Sequence, residues 1–161
     1  MQAGLRKGLP ARAGRRISGG GVSSALRRSR SPSPQGADAA LLVLRLAFGL
    51  GIALGHGLGK IGNLGGFIGN VARQGVPLPE VLGPAAALSE LVGGILLAIG
   101  LFTRPAAVFV LATMLVAGFH IHAADPFPKK ELAFAYAFVS IALLLAGPGR
   151  FSLDARIFGR R

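Results

Sequence analysis

The stretch Leu44-Arg45-Leu46-Ala47-Phe48-Gly49-Leu50-Gly51-Ile52-Ala53-Leu54-Gly55-His56-Gly57-Leu58-Gly59-Lys60 decides the fold. It is apolar for longer than a soluble helix needs, and it holds one arginine deep inside. It belongs to a segment of about Ala39–Ile61. At 1.5 Å of rise per residue that length crosses a hydrocarbon layer of roughly 30 Å. Three more such segments follow, at about Val81–Phe102, Pro105–Ala123 and Glu131–Gly147. Gly147-Pro148-Gly149 stops the last of them. The spacing therefore predicts an all-α protein, an integral membrane four-helix bundle.

Composition agrees. Of 161 residues, 52% are hydrophobic and 15% are charged, and the mean hydropathy is +0.58. A soluble domain carries about a quarter charged residues. There is no cysteine, which excludes disulfides, thiolate metal sites and a cysteine nucleophile. The net charge of +12 is unevenly spread. Residues 1–37 hold eight Lys and Arg and no acid.

This gives three regions. Residues 1–37 form an Arg/Gly/Ser/Pro-rich tail, with Gly19-Gly20-Gly21 and Ser31-Pro32-Ser33-Pro34. It lacks the apolar residues to build a core and reads as disordered. It suits an anionic lipid surface or nucleic acid, a transit peptide, a topology-setting tail, or an upstream extension from a mis-chosen start. No specific nucleic-acid partner is expected. Residues 38–154 form the bundle, and 155–161 a basic C-terminal tail. The bundle's first partner is the lipid bilayer.

Charged groups inside a span are unfavourable by about 2.5–3.5 kcal/mol each, so each needs a partner or water. Arg45 lies roughly 9 Å and Glu90 roughly 16 Å from the end of the bundle that carries the termini. Two readings of Arg45 stand: an ion pair with Glu90, or snorkelling to the near surface. Glu90 is too deep to snorkel and must be paired or protonated. His56, His120 and Glu131 all project to roughly 22–25 Å from the same end. Arg45 and His56 are nearly three turns apart and share a face, which Lys60 continues. A polar chamber would gather His56, His120, Glu131 and Glu90. The other reading makes them interfacial residues at helix ends. His120 and His122 are two residues apart and diverge on a helix, so no metal site is expected. Ala47, Gly51, Gly55 and Gly59 recur every four residues as a small-residue packing ridge. In the longest loop, Phe67, Ile68 and Val71 make a short interfacial face.

The chain resembles the DoxX family of small bacterial four-helix membrane proteins. The resemblance rests on Leu44-Arg45-Leu46, His56-Gly57 and Lys60, then on Gly75-Val76-Pro77. Glu90-Leu91-Val92-Gly93-Gly94 and Gly100-Leu101-Phe102-Thr103-Arg104 come next. His120, Glu131-Leu132-Ala133 and Gly147-Pro148-Gly149-Arg150-Phe151-Ser152-Leu153-Asp154 complete it. It covers about residues 40–154. It implies a bundle in the bacterial cytoplasmic membrane and points to Arg45, His56, Glu90 and His120. It also implies a membrane subunit or partner of a quinone-linked oxidoreductase or oxidative-stress complex. The expectation is no intrinsic cofactor, a quinone as ligand, and a redox enzyme or a homo-oligomer as partner. A small-solute permease and a non-catalytic membrane scaffold are the alternatives.

Orientation comes from counting Lys and Arg at the two ends of the bundle. The side with both termini collects thirteen, the other side Lys60, Arg73, Lys129 and Lys130. Both termini should therefore face the cytoplasm. Reporter fusions at Gly69 and Arg161 test this. A cytoplasmic signal at Gly69 with an external one at Arg161 would reverse the orientation.

Overall fold

The structure, a computed structural model, describes residues 34–159. The tail reading therefore lies outside the described residues up to Ser33, as do Arg160 and Arg161. Six helices run in order: α1 Pro34–Gly62, α2 Leu64–Arg73, α3 Pro79–Ile99, α4 Thr103–Ile121, α5 Phe127–Ala146 and α6 Leu153–Ile157. The described residues contain no strand.

The first helix begins earlier than its hydropathy suggests. Pro34 to Ala37, read as tail, form its opening turn. Proline suits a helix start, where its missing N–H is not needed. One turn in, the Asp38 carboxylate accepts the Arg150 N–H at 2.9 Å, which fixes this end to the chain's C-terminal segment.

By length and composition, α1, α3 and α4 can cross a membrane. The fourth long helix, α5, carries Lys129, Lys130 and Glu131 in its first two turns. Its apolar run starts only at Leu132. The bundle is all-helical and membrane-embedded, with α5 entering from a charged end. Helix α1 packs on α3, α3 on α4, and α4 on α5. The core is Ile52, Leu97, Ala106, Ala107, Val110, Met114, Ala133, Tyr136, Ala137 and Leu143. Large apolar residues such as Phe109, Phe138 and Leu145 point outward. In water that would be a liability, but in lipid it is the ordinary surface.

The close α1–α3 contact uses small residues on another stripe of α1; of the expected ridge Gly51 alone packs, a Cβ there standing 2.9 Å from the Tyr136 hydroxyl of α5. Ala47 is exposed, and Gly55 and Gly59 face open space. The ridge is Gly49, Ala53 and Gly57, two residues out of phase and again four apart. A Cβ at Gly49 would stand 2.6 Å from the Gly94 carbonyl and 2.7 Å from the Ala98 nitrogen. Ala53 is fully buried. Arg45 lies on the same stripe, so the face carrying the charge is the face that packs.

Three turns of the long helices are widened to π geometry: Ala53–Gly57 in α1, Ser89–Gly93 in α3 and Ala117–Ile121 in α4. They contain His56, Glu90 and His120. A widened turn holds an extra residue and is frequent at functional sites.

The connection from α1 to α3 is the amphipathic α2. Asn63 caps it, its side chain accepting the Gly66 N–H at 3.2 Å. Val71 is buried and Ile68 packs on Gly83, so this face of α2 turns toward the bundle. The helix roofs the end of the bundle opposite the termini.

The packing makes a sharp contrast. Gly49→Leu should destabilise the detergent-solubilised protein by about 1–3 kcal/mol or more, since overpacking meets rigid backbone. Gly55→Leu should stay within about 0.5 kcal/mol. Denaturation followed by circular dichroism would read both. Equal losses would place the helix contact elsewhere.

Candidate functional site

The two ends of the bundle treat their charges differently. At the end carrying the termini, Arg45 is fully buried. Its Nη2 donates to the Phe151 carbonyl at 2.6 Å. Gly100, at φ +70°, lies directly against the guanidinium, where any side chain would collide with Nη1. The segment Pro148–Phe158 straps this end. Asp154 accepts the N–H groups of Phe102 (2.8 Å) and Thr103 (2.9 Å), and so caps α4. Its own N–H donates to the Gly100 carbonyl at 2.8 Å. Ser152 accepts the Ala155 N–H at 3.1 Å and donates to the Gly149 carbonyl at 2.6 Å.

Arg45 therefore does not pair with Glu90. It turns toward the near surface, as snorkelling predicts, but a protein segment rather than water meets it. The reason is reach: the strap brings a carbonyl closer than the mid-span carboxylate.

Glu90 pairs instead with Lys60, whose Nζ donates to Oε1. Glu90 is 1% exposed and Lys60 28%. The Lys60 ammonium also lies 5.0 Å from the centre of the Phe67 ring, within cation–π range. Glu90 Oε2 is buried without a hydrogen-bond partner.

This ion pair stands in the wall between two cavities. The larger, of about 490 Å³, lies under α2 between α3 and α4. Val71, Leu82, Ala85, Phe109, Val116 and Ile121 give it apolar walls. Its polar groups are the Lys60–Glu90 pair, His122, Asn70, Gln74, and Ser89 bonded to Thr113 at 3.0 Å. The smaller cavity, of about 130 Å³, is lined by His56, Lys60, Glu90, His122, Lys129 and Tyr136 with apolar neighbours. The His56 and Tyr136 rings meet edge to face, with centroids 6.0 Å apart.

The structure thus brings His56 and Glu90 to one space and leaves His120 and Glu131 outside it. His120 is exposed, and its Nε2 lies 3.2 Å from the Gln74 carbonyl. The widened turn Ala117–Ile121 is the last of α4, and His122 follows it as the C-cap, off helical geometry, where it lines both cavities. Glu131 is exposed too. It precedes the buried stripe residue Ala133 by two, which puts it roughly 200° around α5, on the far side. The residues that sequence reading passed over are His122 and Tyr136. Tyr136 was visible as the only tyrosine, on the stripe Ala133, Tyr136, Ala137, Ser140.

His122 Nδ1 bonds Asp125 Oδ2 at 2.8 Å, and Lys129 Nζ stands 3.4 Å from Oδ1. The hydrogen bond from His122 holds the Asp125 carboxyl below the usual carboxylate range, with Lys129 helping. A depressed carboxyl favours the folded loop above the ordinary carboxylate pKa. That contribution is lost as pH falls through the lowered value. With Nδ1 engaged, Nε2 is the ring nitrogen left to the cavities. No three His, Cys, Asp or Glu side chains gather in metal-holding geometry among the described residues.

Comparisons with known proteins come down on one family. A family model, DoxX, matches residues 40–123. The inner membrane protein YphA of Escherichia coli K12 is 32% identical over 127 residues, covering 72% of this chain and 89% of that protein. An uncharacterized protein of Haemophilus influenzae Rd is 38% identical over 80 residues, covering 45% of this chain. This chain spans 60% of the length of that relative. No solved structure matches.

The geometry separates two couplings. Lys60→Met and Glu90→Gln should each destabilise by about 3 kcal/mol, the lower end for a broken buried pair because Lys60 is partly exposed. The double variant should lose less than the sum, by roughly 0.5–3 kcal/mol. Arg45→Met with Glu90→Gln should be additive within about 0.5 kcal/mol. A double-mutant cycle that couples Arg45 to Glu90 instead would reject this arrangement.

Proposed function

Because the chain belongs to the DoxX family, we propose that it is a bacterial inner-membrane protein whose larger cavity takes a lipophilic molecule of quinone type, in the service of a membrane redox enzyme. The observation that carries the reading is an apolar cavity of about 490 Å³ with a buried ion pair in its wall. Ligand sites are commonly about 300–1,000 Å³, mostly apolar, with a few placed polar groups. The inner membrane is supported by the E. coli relative's name and by three helices able to cross a bilayer. Cytoplasmic termini rest on the Lys and Arg bias.

The residues present fit such a ligand. Leu82, Phe109 and Val116 line the cavity and are themselves exposed on the outer surface. The mouth therefore opens sideways, toward acyl chains, where a lipid-soluble molecule resides. Lys60 Nζ can donate to a carbonyl oxygen while it holds Glu90. His122 Nε2 offers a second polar contact. When bound, a quinone supplies two-electron, two-proton redox chemistry. The part of this chain is to bind, orient and shield. The apolar walls exclude water, the Ser89–Thr113 pair and Lys60 mark the polar end, and α2 covers it.

Titration calorimetry of the full chain in lipid nanodiscs with decylubiquinone tests the reading. Saturable binding near one per chain is expected. Lys60→Met should weaken it about tenfold, as a hydrogen bond from a charged donor implies. Absence of saturable binding, or indifference to Lys60→Met, would sink the site and leave the scaffold reading.

A further inference from the structure

We propose that Glu90 makes the site selective for hydroxyl-bearing lipophiles, phenols and hydroquinones, over ligands that carry only acceptor oxygens. The inference rests on the cavity reading above and names the ligand class that the cavity prefers. Glu90 offers two oxygens and the protein uses one. Oε1 holds Lys60, while Oε2 is buried with no partner. A buried acceptor left unmade is unfavourable, and an ionised one more so. Glu90 is 1% exposed and lines both cavities. A ligand therefore reaches it from these spaces and not from bulk solvent. Its neighbour Lys60 is partly exposed on a long flexible stem, and yields to admit a ligand atom.

The chemistry of the two groups sets the preference. A carbonyl or ether oxygen accepts from Lys60 Nζ and offers Oε2 nothing. A hydroxyl accepts from Lys60 and donates to Oε2 with the same atom. It gains one more bond to a charged acceptor, and such bonds are the strong ones. Neighbouring donors do not already satisfy Oε2. Thr113 and Ser89 bond each other, Thr113 also approaches the Phe109 carbonyl, and His122 Nδ1 is held by Asp125. The preference rests on hydrogen bonding alone, with no electron transferred, so no oxidant is required.

The test uses the full chain in nanodiscs and two probes of one shape, 4-octylphenol and its O-methyl ether. The ether keeps the acceptor oxygen and the apolar body and loses the donor. The phenol should bind at least tenfold more tightly, after reference to the double variant Lys60→Met/Glu90→Met. In that variant both partners are gone, so the phenol-to-ether ratio should fall to within about twofold, and the difference in bilayer partitioning cancels. If that variant does not fold, difference infrared spectroscopy of the unaltered chain replaces it. The phenol should shift the Glu90 carboxylate band, and the ether should not. Equal affinities, or a band indifferent to the phenol, would overturn the inference while decylubiquinone binding stands. If neither probe nor decylubiquinone binds, the cavity reading falls and the selectivity with it.

Discussion

A guanidinium cannot be left bare in hydrocarbon, and the end of this bundle that carries the termini is organised around that fact. Arg45 is fully buried on the stripe of α1 that packs against α3. Its donors must be met from inside the protein. The chain meets this demand in part: Nη2 donates to the Phe151 backbone carbonyl, while Nε and Nη1 are buried without a hydrogen-bond partner. That carbonyl is in place only because the segment after α5 turns back over the helix ends. The turn uses Gly147 and Gly149 at positive φ and is fastened by Asp38 and Asp154. Asp154 at the same time satisfies two orphan N–H groups of α4, where a carboxylate also suits the helix dipole. Gly100 has no side chain because the arginine occupies its place. One buried charge therefore ties the ends of α1, α3 and α4 to one strap.

The other charged group in α1 is handled in the opposite way. Lys60 meets Glu90 in the wall of open space rather than inside a closed strap. The two arrangements divide the molecule. One half is sealed by backbone hydrogen bonds, and the other holds cavities under an amphipathic roof. Buried ion pairs contribute little net stability once desolvation is counted. The Lys60–Glu90 pair is better understood as placing charge beside the cavities than as holding the helices together.

Much of this was legible in the sequence. Helix number, membrane character and the inward face shared by Arg45, His56 and Lys60 come from length, hydropathy and helical phase. The energetic argument singles out Arg45 and Glu90 as charges in the wrong solvent, and both are buried. Partners were not legible. Depth along a helix can be counted, but which carbonyl a strap delivers cannot. Depth alone also misled at His120, which sits at the expected level but on the exposed side of α4. Regular phase misled in the glycine ridge, since Ala47-Gly51-Gly55-Gly59 and Gly49-Ala53-Gly57 have one period and differ only in direction. Periodicity identifies a stripe without saying which neighbour covers it. Glu131 failed for a similar reason, its depth being known but not its azimuth.

The widened turns have a mechanical consequence. Each lengthens the backbone ring closed by a hydrogen bond; Ala53–Gly57 and Ala117–Ile121 lie toward the end away from the strap, and Ser89–Gly93 lies at mid-span. The long helices are therefore stiff rods where they meet the strap and compliant ones where they surround the cavities. Outward bending at Ala53–Gly57, Ser89–Gly93 and Ala117–Ile121 would let the cavity end breathe sideways into the lipid. The clamped end would stay still, like the base of a tuning fork. The fold thus joins a rigid foundation and a yielding mouth in a chain with no separate lid domain among its described residues.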